Sequence, residues 1–307
     1  MTKISVIGAG NVGAETARRC AEKNLGEVIL VDIIEGIPQG KALDILESAP
    51  VEGFTCKITG TNDYSQINDS DIVVVTAGLA RKPGMTREDL VIKNAQIIRS
   101  IAANIKKYAP NSIVLVVTNP LDVMTQLMQK ETGFDSKKVI GMAGILDSAR
   151  FAAFIWLETG VSTDKIEAMV LGGHGDAMVP LPKYTKINGK PILEVLPKEK
   201  VEALIQRTRD GGAEIVKLLK TGSAYYAPSA SVVSMVEAIV KDSKKVFPCS
   251  AYLDGQYCLS GVYIGVPVKL GKKGIEEIIE LELSDLEEDA LNKSAQVVKD
   301  TLKLCGK

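Results

Sequence analysis

The chain is predicted to be an α/β protein, a doubly wound parallel sheet followed by an α+β region. Three observations carry this expectation. Short apolar runs alternate with helix-length stretches through the first half. The first run, Ile4 to Ile7, leads directly into Gly8-Ala9-Gly10-Asn11-Val12-Gly13 and then a helix-forming stretch. The second half instead joins long helices to short strands and a hairpin-like turn. A chain of 307 residues has room for two medium domains. The small-residue junction Gly141-Met142-Ala143-Gly144 marks the change, giving residues 1–142 to the first domain and 143–307 to the second.

Strand, glycine turn and helix (Ala14 to Lys23) are the setting in which G-x-G-x-x-G has a physical meaning. Gly8 permits the turn, Gly10 lets a pyrophosphate approach the backbone, and Gly13 lets the helix pack on the strand. The helix N-terminus offers free N–H groups to the phosphates. A tight turn in any α/β protein would look the same. The next strand, Val28 to Val31, ends in Asp32, about twenty positions after the glycines and placed to bond both ribose hydroxyls of an adenosine. That carboxylate would repel a 2′-phosphate, so NAD is expected rather than NADP. Taken alone, Asp32 could equally cap the next helix.

Further alternation follows: strand Ile72 to Ala77, helix Arg87 to Tyr108, strand Ile113 to Thr118 before Asn119-Pro120. Gly8, Asp32, Gly78 and Asn119 all fall beyond carboxyl ends of strands, where such sheets bind ligands. The polar loop from Leu79 to Arg87 carries Arg81, Arg87 and a Pro-Gly. It reads either as a lid over an anionic substrate or as a solvated connector.

In the second half, a helix from Ile145 to about Thr159 places Asp147 and Arg150 three apart on one face. Phe151, Phe154 and Trp156 suggest burial over much of its circumference, where charges require partners. Gly172-Gly173-His174-Gly175-Asp176 holds the only histidine of the chain. It is a candidate proton-exchanging group near neutral pH, or a lone histidine in a glycine-rich turn. Asn188-Gly189 marks a hairpin turn, helices are expected over Lys198 to Leu219 and Ser229 to Ser243, and Ser284 to Glu287 is a capping box opening a helix to about Leu304.

Composition excludes several classes. With 37 basic and 38 acidic residues, no clustered positive charge is present for nucleic acid or a membrane surface. No apolar run approaches membrane-spanning length. Five scattered cysteines without a C-x-x-C, and an N-terminus lacking a signal-peptide apolar region, lead us to expect reduced thiols, no metal site and a cytoplasmic protein. None of the eight tyrosines has lysine four residues on, so the Tyr-x-x-x-Lys of short-chain reductases is missing.

Over essentially its full length the chain resembles the lactate/malate dehydrogenase family. Five separated motifs carry the resemblance: Gly8 to Gly13 with Asp32, Ala77 to Asp89, Val117 to Asp122, Gly141 to Phe151, and Gly172 to Asp176. It implies a Rossmann NAD-binding domain followed by a substrate-binding, catalytic domain. His174 would then exchange the substrate hydroxyl proton, and Asp147 would orient it. Arg150 would hold the C1 carboxylate, and Arg87 would polarise the reacting carbonyl. Asn119 would touch both substrate and nicotinamide. Gly8, Gly10, Asn11, Val12, Gly13, Asp32, Asn94, Val117 and Thr118 would seat NAD.

Arg81, where lactate-specific members generally carry Gln, would meet the distal carboxylate of oxaloacetate; Gly141-Met142-Ala143-Gly144 and Ala224 agree with the malate branch. The resemblance thus implies oxidation of (S)-malate, a tricarboxylic acid cycle reaction, by a homotetramer or homodimer acting on a small dicarboxylate. A lactate or broad 2-hydroxy-acid dehydrogenase is the nearest alternative, and a non-catalytic dinucleotide-binding module the alternative from another class.

Overall fold

The computed structural model describes residues 1–79 and 85–306. In the first half the elements run β1 (Lys3–Ile7), α1 (Asn11–Glu22), β2 (Glu27–Val31), α2 (Ile37–Glu47), α3 (Ala49–Glu52), β3 (Ile58–Thr61), β4 (Ile72–Val75), α4 (Arg87–Tyr108), β5 (Ile113–Val116), α5 (Leu121–Thr132) and β6 (Val139–Gly141). These six strands are parallel, in the order β3-β2-β1-β4-β5-β6. Val28 and Val31, Ile72 to Val75 and Val114 to Val116 are almost wholly buried, as continuous apolar strands covered on both faces must be. The order reverses at β1 and β4, so their carboxyl ends form a crevice.

The helix after the glycine turn begins at Asn11, three residues before the sequence pattern suggested, because Val12 and Gly13 already lie in its first turn. The 22-residue α4 matches its predicted span, and its start is fixed by a capping box between Thr86 and Asp89.

The second half comprises α6 (Gly144–Thr159), β7 (Ile166–Glu167), β8 (Val170–Gly172), β9 (Met178–Pro180), β10 (Lys186–Ile187), β11 (Lys190–Pro191), α7 (Ile192–Val195), α8 (Lys198–Leu219), α9 (Tyr226–Val240), β12 (Lys245–Asp254), β13 (Ser260–Gly271), β14 (Gly274–Ile278) and α10 (Asp285–Lys303). Asn188 and Gly189, both at positive φ, make the expected turn between β10 and β11. The helix expected from Ser229 instead starts at Tyr226, since Pro228 is accommodated in a first helical turn.

The sheet does not stop at β6. Ser250 of β12 pairs with Gly141, and the order continues β12-β13-β8-β9 in antiparallel sense, with β14 beside β13. We place the division between the halves at Met142 and Ala143, where the chain leaves β6 for α6. A smaller apolar cluster around Phe151, Ile155, Val201 and Leu204 packs α6 against α8. Trp156 departs from the expected buried helix face. It is 49% exposed, because five residues beyond Phe151 it emerges on the other side of α6. Among the described residues no helix is long and apolar enough to cross a membrane.

Candidate active site

The dinucleotide edge is built by close backbone approach. A Cβ on Gly13 would stand 1.7 Å from the Gly8 carbonyl oxygen, so only glycine lets α1 start there. Gly8 has φ +103 and packs against Ala77. A Cβ on Gly10 would meet nothing within 4 Å, leaving the turn open toward the crevice. Asp32 accepts the Ala9 N–H at 2.6 Å and the Ile34 N–H at 3.1 Å, which fixes the carboxylate beside the turn. An open glycine turn, a helix N-terminus and a neighbouring carboxylate fit the pyrophosphate and ribose of a dinucleotide.

On the next strands, Thr118 donates to the Ala77 carbonyl at 2.7 Å, and Val117 continues the β5 ladder through Val75. Asn94 is buried and spends its side chain on backbone: it accepts from Leu79 N–H at 2.8 Å and donates to the Asn119 carbonyl at 2.7 Å. It therefore holds the Leu79 and Asn119 turns together. Asn119 itself is exposed at the strand end, followed by a cis bond to Pro120. Asn11 and Val12 open α1, and the Val12 carbonyl accepts from Ser229 of α9 at 2.9 Å.

The histidine is not a stray residue in a loop. The β8–β9 hairpin turns at Gly172 to Ala177, with Gly172 at φ +84 and Gly175 at φ +115, and presents His174 to the buried first turn of α6. His174 Nδ1 lies 2.9 Å from Oδ2 of Asp147, a carboxylate only 1% exposed. The other oxygen of Asp147 is 3.7 Å from the Arg150 guanidinium. Burial alone would lower the His174 pKa, but the Asp147 charge and hydrogen bond outweigh it and the net shift is upward. Burial lowers the Arg150 pKa, partly offset by Asp147.

The Nε of Arg150 is buried without a hydrogen-bond partner, and its contact with Asp147 is ionic and long, so donor capacity remains for a planar anion. Gly211 and Gly212 of α8 leave room for it; a Cβ at Gly211 would touch Arg150 Cδ at 3.4 Å. Arg87 reaches the same hairpin from α4, its guanidinium 3.2 Å from Asp176, with both side chains about four-fifths exposed. Arg81 lies outside the described residues.

Two residues with no assigned role emerge beneath the hairpin. Asp122, fully buried at the start of α5, accepts the His174 backbone N–H at 2.8 Å. Burial drives its carboxyl pKa up, against the pull of the nearby Ser250 hydroxyl, the His174 N–H and the imidazole. Ser294 of α10 accepts from Gly173 N–H and donates to the Ala177 carbonyl, both at 2.8 Å. Asp122 sits in a motif quoted above, but its contact spans 52 residues and Ser294's spans 121; periodicity carries no trace of either.

Asp147 thus joins the His174 imidazole to the Arg150 guanidinium, and Asp122 ties that hairpin to the end of β5. The model of the lactate/malate dehydrogenase NAD binding domain matches residues 2–141, and that of the lactate/malate dehydrogenase alpha/beta C-terminal domain matches residues 145–306. Malate dehydrogenase from Methanosarcina barkeri is 56% identical, over 98% of each chain. Among solved structures, apo malate dehydrogenase from Picrophilus torridus has a TM-score of 0.97 at 46% identity, over 99% of this chain and 97% of that one. Lactate dehydrogenase from Cryptosporidium parvum, complexed with lactic acid and NAD, has a TM-score of 0.96 at 44% identity, over 100% and 98%.

Proposed function

The chain belongs to the lactate/malate dehydrogenase family, and we propose that it interconverts (S)-malate and oxaloacetate with NAD as the redox partner. The observation that carries this reading is the His174–Asp147 contact at 2.9 Å beside the half-buried Arg150, on a hairpin whose His174 N–H is held by Asp122 just beyond β5. NAD, when bound, supplies the hydride acceptor for malate oxidation and the donor, as NADH, for the reverse direction.

Arg150 binds the C1 carboxylate as a rigid two-pronged donor and so fixes C2 near His174. In oxidation the neutral imidazole accepts the C2 hydroxyl proton, and Asp147 stabilises the imidazolium that results. In reduction the imidazolium returns that proton to the carbonyl oxygen. Asp147 also holds the proton on Nδ1, leaving Nε2 as the reacting nitrogen. Arg87 polarises the carbonyl, Arg81 pairs with the distal carboxylate, and Asn119 orients substrate and nicotinamide together. Gly8, Gly10, Asn11, Val12, Gly13, Asp32, Val117 and Thr118 seat the cofactor, while Asn94 acts through the turns it ties.

The substrate is a dicarboxylate, and the fold alone does not separate it from lactate: the Cryptosporidium parvum lactate dehydrogenase superposes as closely as malate dehydrogenases do. We assign a cytoplasmic setting on five free cysteines, checked by cell fractionation. We assign a homodimer or homotetramer on the exposed Ile37, Leu43, Leu46 and Val51 of α2 and α3, checked by light scattering as a mass of two or four chains. The functional test is NADH oxidation with oxaloacetate. Wild type turns over, whereas His174→Asn binds NADH but loses turnover by roughly 10²–10⁴-fold. NADH binding without turnover in wild type would return the chain to the binding-module alternative.

A further inference from the structure

Lys41 on α2 is a half-buried cation to which the mechanism above gives no task. Its Nζ donates to the Ala9 carbonyl at 2.7 Å, inside the glycine turn. Among the described residues no carboxylate lies within ion-pair distance of it, and the Ala9 carbonyl is its one hydrogen-bond partner among them. An ammonium removed from water without a counter-charge is unfavourable, and one carbonyl occupies only one of its three N–H groups.

The surroundings explain why the ammonium is held there. Ala9 donates its N–H to Asp32 at 2.6 Å. The Asp32 carbonyl accepts from Asn62 at 2.7 Å, and Asn62 accepts from Gln39 at 2.5 Å. Gln39 lies two residues before Lys41 on α2, so the hydrogen bonds close a ring from α2 through Asn62, Asp32 and Ala9 back to α2. Gly60 makes the ring possible, since a Cβ there would stand 2.0 Å from the Pro38 carbonyl oxygen and force α2 off β3. The ring grips Ala9 at both its N–H and its carbonyl. Ala9 lies two residues before the N-terminus of α1, whose free N–H groups can hold an anion.

We propose that Lys41 is a dinucleotide-binding residue: it locks the glycine turn through the Ala9 carbonyl and supplies positive charge to the phosphates of NAD. The inference rests on the NAD reading above and adds a binding residue that the glycine motif does not contain. Asp32 faces Lys41 across Ala9 as the ribose ligand, which leaves the phosphates as the anion for the ammonium to meet.

The test is a fluorescence titration with NADH of wild type, Lys41→Met, Lys41→Gln and Lys41→Arg, at low and high ionic strength, with thermal unfolding run in parallel. Lys41→Met should raise the NADH dissociation constant roughly five- to twenty-fold at low salt. The difference should shrink as salt is added. KM for NADH should rise by more than kcat falls, and Lys41→Arg should recover most of the affinity. Lys41→Gln keeps a donor for Ala9 without the charge, so it covers a Lys41→Met chain that does not fold; it too should bind weakly at low salt. Equal NADH affinity in a folded Lys41→Gln or Lys41→Met, or a loss of the same size at every salt concentration, would overturn the proposal. Failure of wild type to bind NADH would instead overturn the NAD reading beneath it.

Discussion

At the scale of single residues the account turns on one histidine and the carboxylate that holds it. A raised His174 pKa sets the sign of the pH dependence in both directions. Oxaloacetate reduction consumes imidazolium, so its rate should fall as pH rises through the shifted pKa, above the ordinary value of 6.5. Malate oxidation needs neutral imidazole and should rise over the same interval. Asp147→Asn removes the charge that lifts the pKa and leaves burial to depress it, so both inflections should move to lower pH. Its kcat should fall by roughly 10²–10⁴-fold with NADH affinity retained. Rate–pH profiles of the two enzymes check this, and inflections that coincide would deny Asp147 its role. His174, Asp147 and Arg150 were legible because rare or charged side chains stood in unusual local contexts. Asp122 was not: one aspartate at a helix start resembles any other until its distant N–H partner is known.

At the scale of elements, the hairpin that carries His174 is held from outside itself. Ser294 of α10 satisfies both Gly173 N–H and the Ala177 carbonyl, so it closes the β8–β9 turn from a helix 121 residues away. Ser294→Ala leaves those two backbone groups without their partner in a buried setting. Thermal unfolding should report a loss of about 1–3 kcal/mol. A kcat decrease should exceed any change in NADH affinity, because Ser294 bonds the His174 hairpin and the proposed NAD seat on α1 and Asp32 lies in the other half of the chain. An unchanged kcat with normal stability would show that the hairpin holds its own shape. The helices α4 and α8 occupy the spans expected for them from helix-length patterning. Short strands such as β8 and β9, three residues each, were not, since their pairing partners determine them more than their own side chains do.

At the scale of the whole molecule, the two halves share one sheet. The β6–β12 pairing at Gly141 and Ser250 carries the parallel sheet of the first half into the antiparallel strands of the second. The turn with His174 is tied to the carboxyl end of β5 through Asp122, which lies in the first turn of α5 and accepts the His174 N–H. The sequence showed two kinds of organisation and a small-residue junction between them; a single residue pair across that junction leaves no pattern to read. The architecture does not set substrate choice, because a malate dehydrogenase and a lactate dehydrogenase both share it. The proposed pairing of Arg81 with a second carboxylate has no counterpart in pyruvate, which would leave that charge without a partner.

The most direct measurement is therefore the ratio of kcat/KM for oxaloacetate and pyruvate with saturating NADH, in wild type and in Arg81→Gln. Wild type should favour oxaloacetate by on the order of 10²-fold or more, and Arg81→Gln should shrink that ratio through loss on the oxaloacetate side. A wild-type preference for pyruvate would contradict the substrate assignment while leaving the fold and the His174–Asp147 pair in place.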